Sequence, residues 1–314
     1  MSSKLSNDVL YKLSIINKGL CLIKVGLSLT YYFKKGYLFE VKSAVAECCE
    51  DYLSMCRGNI HWAAHPKNYS WCDLNKKNVP SPNEWFQTQK LDENSTWEFH
   101  YHGGEKKEEA SHFRLQSVGT NKPLSEKMKR LSYITASFPP NWFNNNEESF
   151  LKLALSWASK LRPVHGYGGL SILDSPEVYI AQDYGKEVYA LAKRFPGLEV
   201  DYPYLHVLYL DSGIKGVNWL TTLGQKWLSE IGGIISLNRS LDDDYKLYEY
   251  SEGVVIQAGP HPEIGDVNRK IIPKYYQKLA RILKPIQVKE HKRFHGTEGF
   301  GPDETVEWLQ RFDD

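Results

Sequence analysis

The run GLCLIKVGLSLTYYF, Gly19 to Phe33, constrains this chain more than any other stretch. Its apolar residues do not alternate with polar ones as they would in a half-exposed strand; they fill nearly every position. β-Branched and aromatic residues crowd its second half, which favours a strand over a helix. Lys24 interrupts the run, and its 15 residues fall short of the roughly 20 that a membrane-crossing helix needs. The reading is a long, largely buried strand.

A chain of 314 residues can bury most of its apolar surface without staples. Hydrophobic residues at 41% and charged residues at 25% fit a packed globular protein. The net charge of +1 gives no global pull toward nucleic acid. Direct nucleic-acid binding and membrane insertion are therefore not expected, and charge should matter only in patches. Twenty Tyr, 12 Phe and 9 Trp fit either an aromatic core or a binding face. The five cysteines, Cys21, Cys48, Cys49, Cys56 and Cys72, are odd in number, and no C-x-x-C occurs. Neither a disulfide framework nor a zinc site is expected. The start MSSKLSNDVLYKLS lacks the pattern of a secretory leader, so the expected compartment is the cytoplasm.

Further along, YLFEVKSAVAECCEDYLSMC predicts a helix with Val41, Val45, Cys48, Cys49, Tyr52 and Cys56 on one face. STWEFHYH and SHFRLQSV predict a strand pair, and LSYITASFP another strand. NNNEESFLKLALSWASKL predicts a helix opened by Asn caps and stopped at Arg162-Pro163. VHGYGGLSIL reads as a Gly-rich strand. SPEVYIAQDYGKEVYALAKRFPG reads as one helix with Ser175 as N-cap. GVNWLTTLG and GIISLNR read as strands, QKWLSEIGG as a short helix, and YKLYEYSEGVVIQAG as a hairpin. PKYYQKLARILKP and GPDETVEWLQRF read as helices, the latter capped by Asp303. Strands and helices mix without a βαβ rhythm. The expected class is α+β: mixed, mainly antiparallel sheets packed with helices, in a single domain 1–314 that divides, if at all, into α/β lobes 1–140 and 141–314.

Several segments invite a chemical reading. GPHPEIGDVN has neither the Lys nor the hydroxyl of a phosphate loop, and its prolines remove amide donors. The structural reading is a rigid connection in which Gly259 and Gly265 take unusual φ, Pro260 and Pro262 freeze the turn, and Asp266 has no visible catalytic partner. His100 and His102 share one strand face, and a guessed register puts His112 opposite as a third metal ligand. A solvated histidine hairpin is the plainer alternative, and no metal or cofactor is expected. HGYGGLS holds His165 and Ser171 but is not a nucleophile elbow. Its glycines, Gly166, Gly168 and Gly169, suit close backbone packing. No HExxH and no paired carboxylates of readable geometry occur, so an enzyme has little residue-level support. Asp242, Asp243 and Asp244, followed by Tyr245, Tyr248 and Tyr250, form either a solvated loop before a strand or a docking face for a basic protein.

In order, RFPGLEVD, GVNWLTTLG with Trp219, EIGG, and GVVIQAGPHPEIGDVN with Gly253, followed by YYQKLARILKPIQ, resemble the type VI secretion immunity family. HGYGGLSI and VGLSLTYYF fit the same pattern, so the resemblance spans roughly residues 20–290. It implies a protein that binds and neutralises a cognate antibacterial effector, in some members a nuclease of the PD-(D/E)xK type. It carries no catalytic residue set. The expectation is a stoichiometric toxin-binding protein and not an enzyme. The alternatives are an enzyme that reverses toxin damage and a hydrolase built on the Gly-rich loops.

Overall fold

The computed structural model describes residue 10 and residues 13–89, 91–294 and 299–313. Twelve strands among these form one sheet. In chain order they are β1 (Ile15–Asn17), β2 (Leu20–Phe33), β3 (Trp62–Ala64), β4 (Trp71–Asp73), β5 (Trp97–His102) and β6 (Arg114–Gly119). Then come β7 (Ser132–Phe138), β8 (His165–Asp174), β9 (Glu199–Val200), β10 (Leu220–Gly224), β11 (Tyr245–Tyr250) and β12 (Gly253–Ala258). In space the order is β11-β12-β10-β8-β2-β7-β6-β5-β3-β4, with β1 against β2 and β9 against β8. Of the strand pairs only β8–β9 is parallel. With its helices this is an α+β fold on a mixed, mainly antiparallel sheet.

The reason β2 does not alternate is now visible. It lies in the middle of the sheet and is covered on both faces, so every residue from Val25 to Phe33 is buried. Neighbouring side chains on a strand point opposite ways. Tyr31 donates to Ala154 O at 2.8 Å, in the helix Pro140–Leu161 on one face. Tyr32 donates to Asp201 Oδ1 at 2.9 Å, on the other. The helix Phe39–Met55 joins the first layer through Tyr52, whose hydroxyl donates to Ser137 O of β7 at 2.8 Å. Cys48, Cys49 and Cys56 are buried in this layer, and burial pushes the Cys56 thiol up to about 12. All five cysteines are free thiols.

Glycine in β8 has a steric cause. Gly166 pairs with Tyr31 across β2, and the Tyr31 ring lies where a Cβ would be. The same arrangement recurs in the β11–β12 hairpin, where the Tyr250 ring and its hydroxyl cover Gly253. An aromatic ring folded over a cross-strand glycine protects the backbone that glycine leaves bare.

Four predicted elements differ. GIISLNR is a helix, Gly233–Ser240, not a strand. Gly232 and Gly233, at φ 87° and 75°, turn the chain into it. Ile234, Leu237 and Leu241 then meet the core at helical spacing, while Ile235 is 64% exposed. The predicted single helix after Ser175 is two, Val178–Gln182 and Gly185–Arg194. Ser175 is not its cap: its hydroxyl accepts from Glu177 N at 3.1 Å and donates to Glu108 O at 2.5 Å. The Asn-capped helix begins earlier, at Pro140, and Asn146 is a kink inside it with φ −135°. The last helix is capped at Gly301, whose N–H donates to Glu304 Oε2 at 2.9 Å, and Asp303 lies in its first turn. Between residues 1–140 and 141–314 the sheet is continuous, because β2 and β8 pair from Ile23↔Asp174 to Tyr32↔His165.

Candidate functional site

The acid-and-tyrosine stretch lies at one end of the sheet. β11 is the terminal strand, and Asp242, Asp243 and Asp244 are exposed just ahead of it. Asp242 pairs with Lys278 at 2.7 Å, which holds its carboxyl below the usual range. Asp243 and Asp244 make no ion pair among the described residues. The strand divides the tyrosines: Tyr248 and Tyr250 share one face and Tyr245 takes the other. Each hydroxyl is engaged, Tyr245 with Tyr275 O at 2.8 Å, Tyr248 with Gln257 Oε1 at 2.9 Å and Tyr250 with Leu223 O at 3.3 Å. The three acids and the edge strand therefore form one continuous surface, with Tyr245 turned into the protein behind it.

The Gly-Pro loop follows β12. Gly259 has φ 81° and Gly265 φ 69°, in the left-handed region that favours glycine. Trp219 is fully buried and donates from Nε1 to Gly259 O at 3.2 Å, fastening the loop to β10. Asp266 is gripped from outside: Arg194 donates from Nε to Oδ1 at 3.3 Å and from Nη2 to Oδ2 at 3.2 Å. Its Oδ1 also accepts from Asn268 N at 3.1 Å, capping a short turn of 3₁₀ helix. The Arg194 contact holds the Asp266 carboxyl below its ordinary range. Asp266 therefore orders a corner. Asp266→Ala is expected to lower the melting temperature while leaving partner affinity within about twofold, since it removes a loop brace and no docking group. A folded variant that has lost affinity in a titration would refute this.

The three histidines do not converge. The β5–β6 register places His102 opposite Arg114 and His100 opposite Gln116, so His112 lies beyond the paired region. His100 faces Glu98 at 3.0 Å, His102 Nε2 faces Lys106 O at 3.3 Å, and His112 Nε2 faces Val25 O at 3.0 Å. Burial lowers the pKa of His102 to about 3 and that of His112 to about 4. Among the described residues no group of three or more His, Cys, Asp and Glu is placed to hold a metal ion. His165 and Ser171 are also apart in role: His165 Nδ1 faces Thr222 O at 3.0 Å, and Ser171 donates to the carbonyls of Ile172 and Glu199.

A charged cluster that the sequence did not announce sits under the second face of β2. Lys215 is fully buried; its Nζ lies 3.0 Å from Glu199 Oε1 and 3.4 Å from Asp201 Oδ1. It also donates to Tyr167 OH and Val200 O, each at 2.8 Å. Asp201 accepts from Thr30 at 2.7 Å and Tyr32 at 2.9 Å, and Glu199 accepts from Asn218 at 3.2 Å. A buried charge needs partners and hydrogen bonds on every side, and this one has them. Lys215 and Glu199 are closed off from solvent and Asp201 lies at the margin of the cluster, which ties the 199–217 segment to β2 and β8. Glu199 and Asp201 come from RFPGLEVD, whose acids carry no periodic signal; one buried Lys in GIKGVNW looks in sequence like any surface Lys.

What the surface and the interior define is a protein with a charged sheet edge and, among the described residues, no group of three or more His, Cys, Asp and Glu placed to hold a metal ion. The sequence model for the TsiV family, described as type VI immunity for VRR-NUC, matches residues 44–312, and the chain belongs to that family. Among solved structures it is similar to the Pseudomonas aeruginosa T6SS protein PA0821. The TM-score is 0.87 at 24% identity, over 96% of this chain and 87% of that one, which shows a shared fold. The comparison with curated proteins returned no match. No helix among the described residues is long and apolar enough to cross a membrane.

Proposed function

We propose that this protein neutralises a cognate type VI effector carrying a VRR-NUC nuclease domain, by binding it one-to-one in the cytoplasm and covering its nucleic-acid cleft. The observation that carries the reading is the family match over residues 44–312. The exposed acids Asp242, Asp243 and Asp244 at the sheet edge support it. A nuclease cleft must hold phosphates with cationic groups, and acids on an inhibitor suit that cleft. No cofactor enters this mechanism.

The test is a titration of purified effector nuclease with this protein. Activity should fall linearly to zero at one equivalent, and an inactive effector variant should co-elute with the protein as a one-to-one complex. Protection at well below one equivalent would instead indicate an enzyme acting on the effector or its damage. Replacing Asp242, Asp243 and Asp244 together by Lys should slow association about tenfold at low salt, with the difference shrinking as ionic strength rises. An unchanged association rate would remove these acids from the interface.

A further inference from the structure

We propose that the outer edge of β11 is completed by an extended strand of the effector, whose cationic residues lie over Asp242–Asp244. This rests on the functional reading above and specifies how the two proteins join.

The backbone pattern comes first. β11 and β12 close over a two-residue turn, Ser251 and Glu252, with Tyr250 opposite Gly253. Asp244 O accepts from Gly259 N at 3.2 Å, so the even-numbered residues bond to β12. Lys246, Tyr248 and Tyr250 thus direct their N–H and C=O inward, and Leu247 and Glu249 direct theirs away from the sheet. Tyr245 N, the next outward group, is taken by Asp242 O at 3.1 Å. The free edge is therefore short and defined: the N–H and C=O of Leu247 and Glu249, with the C=O of Tyr245 beside them. The opposite edge strand, β4, has only three residues in all.

Charge selects the occupant. Glu252, at the turn end of the hairpin, is already paired with Arg162 at 3.1 Å, and Asp242 with Lys278 at 2.7 Å. Asp243 and Asp244 make no ion pair among the described residues, so the uncompensated charge on this edge lies at its Asp end. A strand with cationic residues at one end meets Asp243 and Asp244 favourably and gains the edge hydrogen bonds at Leu247 and Glu249. Main-chain bonds give such a junction its affinity, and the flanking side chains give it selectivity.

Glu249 provides the test, because its side chain is exposed and its N–H points away from β12. Proline is tolerated on an edge strand where the missing N–H faces solvent. Glu249→Pro should remain folded by circular dichroism and bind inactive effector about a hundredfold more weakly, having lost a bond and placed a ring on the edge. Glu249→Gln, which keeps the N–H, should bind within a few-fold of wild type. Independently of any variant, the amides of Leu247 and Glu249 should exchange with deuterium much more slowly in the wild-type complex than in the free protein. A wild-type complex whose Leu247 and Glu249 amides exchange freely, or a folded Glu249→Pro variant of unchanged affinity, overturns the proposal while leaving the immunity function intact. So does a dimer of this chain that Glu249→Pro splits without touching effector affinity. Failure of the wild-type protein to bind effector at all would instead overturn the functional reading.

Discussion

Lowering the pH from 7 to 5 is expected to bring this protein to the edge of unfolding. His102 and His165 are fully buried and His291 is 5% exposed. Burial is the main reason that each has its pKa lowered to about 3; Arg114 adds to the effect on His102, and Lys215 to that on His165 and His291. In the unfolded chain the same rings titrate near 6.5. The unfolded state therefore takes up protons first. Stability is intact above about pH 7 and is lost as pH falls through 6.5 toward 3. At pH 5 each ring contributes a loss of about 2 kcal/mol, so the three together approach about 6, against a total stability of about 5–15 for a typical domain. Urea denaturation at pH 7, 6 and 5 measures this. A midpoint that stays constant over that range would mean that these rings are already charged, or solvated, in the folded protein.

Lys215→Ala should be strongly destabilising at neutral pH, by about 3–5 kcal/mol, because it leaves the buried Glu199 and the partly buried Asp201 with their shared cation gone. The loss comes from the carboxylates left behind more than from the bond removed. Lys215→Met combined with Glu199→Gln, which withdraws one charge of each sign and fills the space, should accordingly recover a large part of it. Chemical denaturation of the three proteins decides the matter. If Lys215→Ala costs under about 1 kcal/mol, water must reach the cluster and solvate the acids.

The fold class, the central strand and the β11–β12 hairpin were readable because each rests on local pattern. A two-face-buried strand fills all its positions with apolar residues, and a two-residue turn needs only Ser251-Glu252 before Gly253. GIISLNR misled because adjacent β-branched residues favour a strand, whereas Gly232 and Gly233 aim the segment so that only helical spacing meets the core. The break at Asp183–Tyr184 has no proline to mark it. The histidine set depended on register, and register is fixed by pairing partners far away in sequence. Lys215, Glu199 and Asp201 were hidden for the same reason: their meeting point is defined by β2 and β8, not by their neighbours. The Asp242–Asp244 run stood out in sequence, but only the topology shows that it lies beside an open sheet edge.

The pairing of β2 with β8 also sets a timetable. β2 is finished at Phe33, yet its partner on one side begins at His165. During synthesis at roughly 5–20 residues per second, that flank stays open for on the order of ten seconds. Until then the longest strand among the described residues has an unfilled side, and the tether from Tyr32 to Asp201 has no far end. A half-made chain is thus an aggregation hazard rather than a smaller version of the product. Any cell relying on this protein depends on the stock of completed molecules it already holds, because new ones become useful only after most of the message has been read.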